Sequence, residues 1–539
     1  MSGRVQIRVD GVDYEVEAGR TILQALDELG VLCADGSEAV QLPAGVEIPH
    51  YCWHPKLSID GSCRMCQVEV RAAGDEAPQL VIACNTPVAE GLEVDTRTEA
   101  VAHAREGVME LLLVNHPLDC PICDQAGECK LQDYAYEYGV DHARTKESRR
   151  KLKKRVELGP TIVFDQERCI LCRRCVRFCR EVTGSGELGI FERGDRSVVE
   201  TFPGDPLDNP YSMNVADLCP VGALTTRDFR FKARVWSLES VPGICTGCAR
   251  GCNVQLDVAK NEVQRYRPRR NDAVNGTWMC DAGRLSYQDI AREDRLSHCL
   301  VRTSASASAS AEAEAEAEAE AEAEGELRPA PLEEAIEAVA SRLRPLLEEK
   351  GPGVIAGVAS AHASNEDLRA FKTFLDVLDV DSIGLAVELG KSDDLLVEAE
   401  KGANVAGARA VGFGDIAPVV ERVKGGGVDA LLVLGHDLIG PQALPDSALL
   451  AGLDTVVGFD THRSPLERVA HVVFPVRHAA EKSASYTNSA GIVQSVQQAV
   501  LPSAGVLDER DFLQRLGEAL GLAAYLPVSE PEPGREEAP

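Results

Sequence analysis

At 539 residues and a net charge of −30, the chain is too long for one ordinary hydrophobic core and too acidic to offer the basic face of a nucleic-acid binder. Eight of the acidic residues fall in one repeat, Glu312 to Glu326, so the folded part is less extreme than the total. No apolar run approaches the roughly 18 residues of a spanning helix, and the opening MSGRVQIRVDGVDYEV has no signal-peptide core. A cytoplasmic protein without direct membrane insertion is expected.

Residues 4–30 predict a strand, an Asp-Gly turn, a second strand and a helix opened by Thr21. A cysteine-bearing segment follows at 50–84. Residues 99–114 predict a helix with an apolar stripe of Val101, Ala104, Val108, Leu111 and Leu112. The basic stretch 144–155 is either a docking site for an acidic partner or a solvated loop. Residues 304–324 are low complexity, with like charges at i,i+4 that weaken a helix, and read as a linker without chemistry. Beyond it, GVIAGVA, ALLVLG, TVVGFD and HVVFPV alternate with helical stretches such as NEDLRAFKTFLDVL, the pattern of a parallel α/β sheet.

All 18 cysteines lie between Cys33 and Cys299. Such clustering, in a chain with no export signal, points to thiolate ligands rather than disulfides. The first array, Cys52-x10-Cys63-x2-Cys66-x17-Cys84, suits a [2Fe–2S] cluster on a β-grasp ferredoxin, with zinc as the rival. In CILCRRCVRFC, Cys169, Cys172 and Cys175 have the C-x2-C-x2-C spacing that grips three corners of a cubane. The fourth ligand in this grammar precedes a proline. Cys219 does so in LCPVGAL and is assigned to this cluster, leaving Cys179 as a spare. Cys245, Cys248, Cys252 and Cys280 form a further C-x2-C-x3-C-x27-C array for a [4Fe–4S] cluster.

One array is short of a thiol. HPLDCPICDQAGEC supplies Cys120, Cys123 and Cys129 but no fourth cysteine, and Cys33, Cys179 and Cys299 have no local relation to it. A lone histidine is usually structural. Beside three orphan thiolates, His116 is expected to be the fourth ligand, since imidazole is a competent one. A neutral imidazole in place of a thiolate should raise the cluster's potential. His50 and His54 flank a complete tetrad and are expected to be packing residues.

Together IPHYCWHP…GSCRMCQVEV…ACNTPV, HPLDCPICDQAGECKLQ, RCILCRRCVRFCRE…NVADLCPVGAL and CTGCARGC…WMC resemble the large iron–sulfur subunit of bacterial NADH-quinone oxidoreductase, respiratory complex I. HVVFPVRHAAEKSASYTNSAGIVQ is similar to the strand-and-loop signature of the molybdopterin oxidoreductase fold. The resemblance implies α+β ferredoxin-like iron–sulfur domains followed by an α/β molybdopterin-oxidoreductase-like domain with a parallel sheet. Expected domains are a β-grasp [2Fe–2S] domain at 1–98, a helical [4Fe–4S] domain with one histidine and three cysteine ligands at 99–158, and a ferredoxin-like [4Fe–4S] domain at 159–238. A fourth cluster segment at 239–303, the linker at 304–330 and the α/β domain at 331–539 complete the chain.

It also implies one [2Fe–2S] and three [4Fe–4S] clusters. Partners would be a flavin/NADH-binding subunit that donates electrons, a ferredoxin-like two-cluster subunit that accepts them and other peripheral-arm subunits, on the inner face of the cell membrane. Ala282 stands where catalytic molybdenum relatives carry a lysine, no cysteine follows Cys299, and the last domain is shorter than theirs. A molybdopterin is therefore not expected. The alternative function, a formate-dehydrogenase-type molybdenum enzyme, would need one.

Overall fold

The computed structural model describes residues 3–32, 45–72, 74–303, 325–435, 438 and 447–522. Cys33 and the Ala-Glu repeat lie outside these. The chain forms two compact units, residues 1–238 and 239–539.

The first unit opens with β1 (Arg4–Val9) and β2 (Val12–Glu17), joined at Asp10-Gly11, where both residues take positive φ and close a tight hairpin. In α1 (Ile22–Glu28), Thr21 and Gln24 form a capping box that satisfies the helix's first free amides. β3 (Gln67–Arg71), β4 (Gln79–Ile82) and β5 (Leu92–Asp95) complete a five-stranded sheet in the order β2-β1-β5-β3-β4, with β1 and β5 parallel. Ile22, Leu23 and Leu26 of α1 share a core with Ile7, Val9, Val68 and Val94.

α2 (Glu99–Leu113) is capped by Thr98, but its buried face is not the expected stripe. Val101, Arg105 and Met109 are buried while Leu111 is exposed. Arg105 takes an inward position because its guanidinium donates to the Gln67 carbonyl at 2.9 Å and lies over the Tyr138 ring. A charge with both partners is tolerated where hydropathy alone would place leucine.

α3 (Lys130–Tyr138), β6 (Val156–Glu157), β7 (Ile162–Phe164), α4 (Arg174–Glu181), β8 (Leu188–Phe191), β9 (Val198–Thr201), α5 (Asn214–Leu218) and β10 (Leu224–Thr226) finish this unit. β6, β7 and β10 form a small antiparallel sheet, with α4 and α5 between β7 and β10 in sequence. Within the basic stretch, Lys154 pairs with Asp119 at 2.9 Å and Glu167 at 2.8 Å, and Arg144 pairs with Glu110. Those two charges serve the fold.

The second unit begins with an antiparallel sheet of β11 (Glu239–Ile244), β12 (Asn253–Ala259) and β13 (Glu262–Pro268), followed by α6 (Asp281–Leu285). Next come β14 (Cys299–Arg302), β15 (Leu327–Ala330), α7 (Leu332–Glu349), β16 (Ile355–Ser360), α8 (Asn365–Val377) and β17 (Ser382–Ala386). The remaining elements are α9 (Val405–Val411), α10 (Ala417–Lys424), β18 (Ala430–Leu434), α11 (Ser447–Ala451), β19 (Thr455–Asp460), β20 (Val472–Pro475), β21 (Ala484–Thr487), β22 (Val493–Val496) and α12 (Glu509–Ala519).

Five strands run parallel in the order β17-β16-β18-β19-β20, and the antiparallel β14 and β15 extend the β20 edge. Separate apolar cores cover the two faces. Phe371, Phe374 and Phe512 belong to one, and Val419, Val423 and Leu450 to the other.

Lys482 lies buried between Asp367 and Glu509, 2.8 Å from each. Burial pushes the Glu509 carboxyl up to about 8, with the Asp367 charge adding to it, so Glu509 is mostly protonated at neutral pH, while Lys482 holds the Asp367 carboxyl down against burial. Lys482→Met strands both carboxyls, and we expect a loss of about 3–5 kcal/mol in urea unfolding of the second unit.

Candidate metal centres

Cys52 lies on the long connection between α1 and β3, Cys63 and Cys66 on the part of it just before β3, and Cys84 on the turn after β4. Cys52 and Cys63 hydrogen-bond through their side chains, as do Cys66 and Cys84, and the Cys66 thiol also feels Cys52. Arg64 in this loop has φ of 60°. Cys52 N lies 3.5 Å from Cys63 Sγ. His50 and His54 stand apart: His50 Nδ1 lies 2.9 Å from the Ile48 carbonyl, and His54 Nδ1 accepts from Lys56 N.

Cys169, Cys172, Cys175 and Cys219 line one cavity, with Ile170, Phe164, Val199 and Val221 closing it. Leu171 and Arg173 adopt left-handed backbone between these cysteines, a conformation rare for such residues and costing free energy the site must offset. Leu171 N then points at Cys169 Sγ, 3.4 Å away. Burial holds all four thiols up, Cys219 at about 12, so as bare thiolates they would be costly and a cationic group among them is favoured. Cys179, one turn along α4, instead hydrogen-bonds Glu187.

Cys123 and Cys129 are buried, Cys120 is exposed, and His116 precedes them on the same loop. Burial pushes the His116 imidazole down to about 4, which keeps it neutral. Its Nδ1 is buried without a hydrogen-bond partner. An unpaired buried imidazole nitrogen is costly unless something accepts its lone pair or proton, and an iron would. The segment after Cys219 abuts this group. Gly222 lies so close that a Cβ there would fall 2.3 Å from Cys123 Sγ, and Cys129 Sγ is 3.9 Å from the Pro220 carbonyl. Arg234 donates to the Cys123 and Pro121 carbonyls at 2.6 and 2.7 Å.

In the second unit Cys245 follows β11, Cys252 precedes β12 and Cys280 caps α6, accepting from Gly283 N at 3.3 Å. Cys252 feels Cys245, Cys248 and Cys280. A Cβ at Gly283 would lie 2.9 Å from Cys245 Sγ and 3.2 Å from Cys280 Sγ, so only glycine leaves the space open. The loop from Cys248 to Cys252 is pinned by Gln494 Nε2 to the Gly251 carbonyl at 2.9 Å and by Ser489 N to the Ala249 carbonyl at 2.8 Å.

Among the described residues no group of three or more His, Cys, Asp or Glu closes tightly enough for a single ion. Thiolates around a cluster sit farther apart than around one zinc, because iron and sulfide lie between them. Grouped thiols, amide-to-sulfur contacts and the orphan imidazole nitrogen fit iron–sulfur clusters.

Profiles of five families match the chain. They are the 2Fe-2S iron-sulfur cluster binding domain (2–99), the NADH-ubiquinone oxidoreductase-G iron-sulfur binding region (105–144) and the NADH-quinone oxidoreductase subunit 3 ferredoxin-like domain (159–225). The molybdopterin oxidoreductase Fe4S4 domain (238–292) and molybdopterin oxidoreductase (395–515) follow. The NADH-quinone oxidoreductase G subunit of Rickettsia bellii (strain RML369-C) is 38% identical over 371 residues, 69% of this chain and 48% of that protein. The NADH-ubiquinone oxidoreductase 75 kDa subunit of Reclinomonas americana is 43% identical over 298 residues, 55% of this chain and 40% of that protein.

The chain is a homologue of the NADH-quinone oxidoreductase G subunit. It spans about half the length of the curated relatives it matches. Ferredoxin-like iron–sulfur domains followed by a molybdopterin-oxidoreductase α/β domain are thereby its fold. No described helix is long and apolar enough to cross a membrane.

What the spacing did not point to are Arg174, Arg177 and Arg234, which hold the cysteine-bearing loops through carbonyls, and the Asp119–Arg168–Lys154 network beside His116. The basic residues interleaved in CRRCVRFC were the available signal. In metal-free protein, iodoacetamide should label exposed Cys120 well before buried Cys172 and Cys175, as peptide mass spectrometry with time will show. Equal rates would contradict the burial described.

Proposed function

We propose that this chain is an iron–sulfur electron-transfer subunit of an NADH-quinone oxidoreductase, taking electrons from a flavin/NADH-binding subunit and handing them to a ferredoxin-like two-cluster subunit on the way to quinone. Cys52, Cys63, Cys66 and Cys84 would hold a [2Fe–2S] cluster. [4Fe–4S] clusters would be held by Cys169, Cys172, Cys175 and Cys219, by His116, Cys120, Cys123 and Cys129, and by Cys245, Cys248, Cys252 and Cys280. Bound there, the clusters supply one-electron chemistry; the protein supplies spacing, burial and charge.

The observation that carries the reading is adjacency. Cys172 feels the charge of Cys52, and the Cys219–Gly222 segment lies between the Cys169 and His116 groups. Three ligand groups share one compact unit, as a relay requires. At the far group Cys120 reaches the surface among exposed Leu118 and Ile122, and this is where we place the handover to the acceptor subunit. By its likeness to NADH-quinone oxidoreductase subunits, the chain would lie peripherally on the inner face of the cell membrane, held through the complex. We read the α/β unit as a scaffold for the Cys245 group, with Ala282 exposed on α6 where molybdenum relatives carry lysine.

Anaerobically purified protein should contain about 14 iron atoms and no molybdenum. His116→Ala should remove about four of them, whereas His116→Cys should keep them and lower that cluster's potential, because a thiolate adds negative charge. Elemental analysis with EPR-monitored redox titration reads both. Full iron in His116→Ala would remove the histidine from the ligand set, and stoichiometric molybdenum would replace the scaffold reading with a substrate-oxidising site.

A further inference from the structure

α4 begins inside the Cys169 array, and residues 174 and 177, three apart, project from one side of it. Both are arginines, and both are 4% exposed. Arg177 donates through Nη1 to the Ser58 carbonyl and through Nη2 to the carbonyls of Cys52 and Cys172, the last at 3.4 Å. Arg174 donates through Nη2 to the Trp53 carbonyl and through Nη1 to the Leu218 carbonyl at 3.3 Å. Each guanidinium therefore joins the Cys52–Ser58 loop of one ligand group to a residue that is, or adjoins, a ligand of the next.

A buried guanidinium needs anions around it. For Arg174 burial opposes the charge, and the groups that support it are the thiols of Cys172, Cys63 and Cys52, drawn from both arrays. The Glu181 carboxylate feels the charge of Arg177 and is itself held by the Ser58 amide at 2.8 Å and hydroxyl at 2.6 Å. Glu181 thus clamps the same loop from the end of α4.

We propose that Arg174 and Arg177 are positioning residues for electron transfer between the Cys52 group and the Cys169 group, joining the two ligand loops through one hydrogen-bonded fork each and raising the potential of both. The inference rests on the ligand assignment above. One electron moves between the groups, no bond breaks, and the guanidinium keeps its proton throughout. A fixed positive charge between two sites that each gain negative charge on reduction stabilises the reduced form of both. The fork also fixes their separation, because a planar group bonded to carbonyls on both sides resists their drifting apart.

The full chain with its clusters, as Arg177→Met and Arg177→Lys, tests this by iron content, EPR redox titration and stopped-flow reduction. Arg177→Met should keep its iron, move both potentials to more negative values and slow transfer from the [2Fe–2S] signal to the Cys169 cubane by about tenfold or more. Arg177→Lys should restore the potentials, since the charge returns, and leave transfer slow, since lysine cannot fork between two loops. A purely structural staple would change iron content and not the potentials. If Arg177→Met loses iron, the lysine variant decides: slow transfer at wild-type potentials supports the proposal, and wild-type transfer overturns it. Wild-type protein lacking the [2Fe–2S] signal overturns the ligand assignment and this inference with it. Full wild-type iron with an indifferent Arg177→Met overturns this inference alone.

Discussion

A buried thiolate needs a counter-charge, and much of the first unit is arranged around that need. Cys172 and Cys175 sit where water is excluded, so burial alone would keep them protonated. The chain meets this with amides turned towards sulfur by left-handed residues, with arginines set against ligand-loop carbonyls, and with space kept open by glycine at Gly222. The same features close-pack the ligand groups, and close packing is what one-electron transfer requires of a protein. On the proposed reading, one set of contacts serves stability and electron transfer alike.

The second unit answers a different demand. Its Cys248–Cys252 loop hydrogen-bonds to the β21–β22 hairpin, more than 230 residues later in sequence, through Gln494, Asn488 and the Ser489 amide. Asn253, buried beside Cys252, accepts from Arg269 at 2.7 Å and donates to Gln494. A half-satisfied buried polar network is worse than none, so the hairpin and the cysteine loop stand or fall together. That coupling is a physical reason for the α/β domain to be kept beside the cysteine loop.

The sequence made a good part of this legible, and the exceptions have causes. Thr21 with Gln24 announced α1, because a capping box is a local signal. The runs TVVGFD and HVVFPV form parallel strands because strands buried on both faces are apolar throughout. SIGLA, which forms β17 at the sheet edge, was too short and mild to stand out, and the antiparallel β11–β13 sheet was overshadowed by the cysteines around it. The α2 stripe failed at Arg105 and Leu111, where a carbonyl and an aromatic ring from distant segments decide which face turns inward. Cysteine spacing grouped the thiols because ligand geometry is written locally. The arginine forks were not readable, since one side of each fork is a backbone carbonyl over 115 residues away.

On the proposed function, the Cys52 and Cys169 groups are neighbouring stations of one electron path. Microwave-power saturation of the [2Fe–2S] EPR signal, followed while the protein is reduced stepwise, tests it most directly. Our account predicts that the signal relaxes faster, and saturates at higher power, once the Cys169 cubane becomes paramagnetic beside it. A saturation curve that stays the same at every degree of reduction, in protein carrying its full iron, would contradict it.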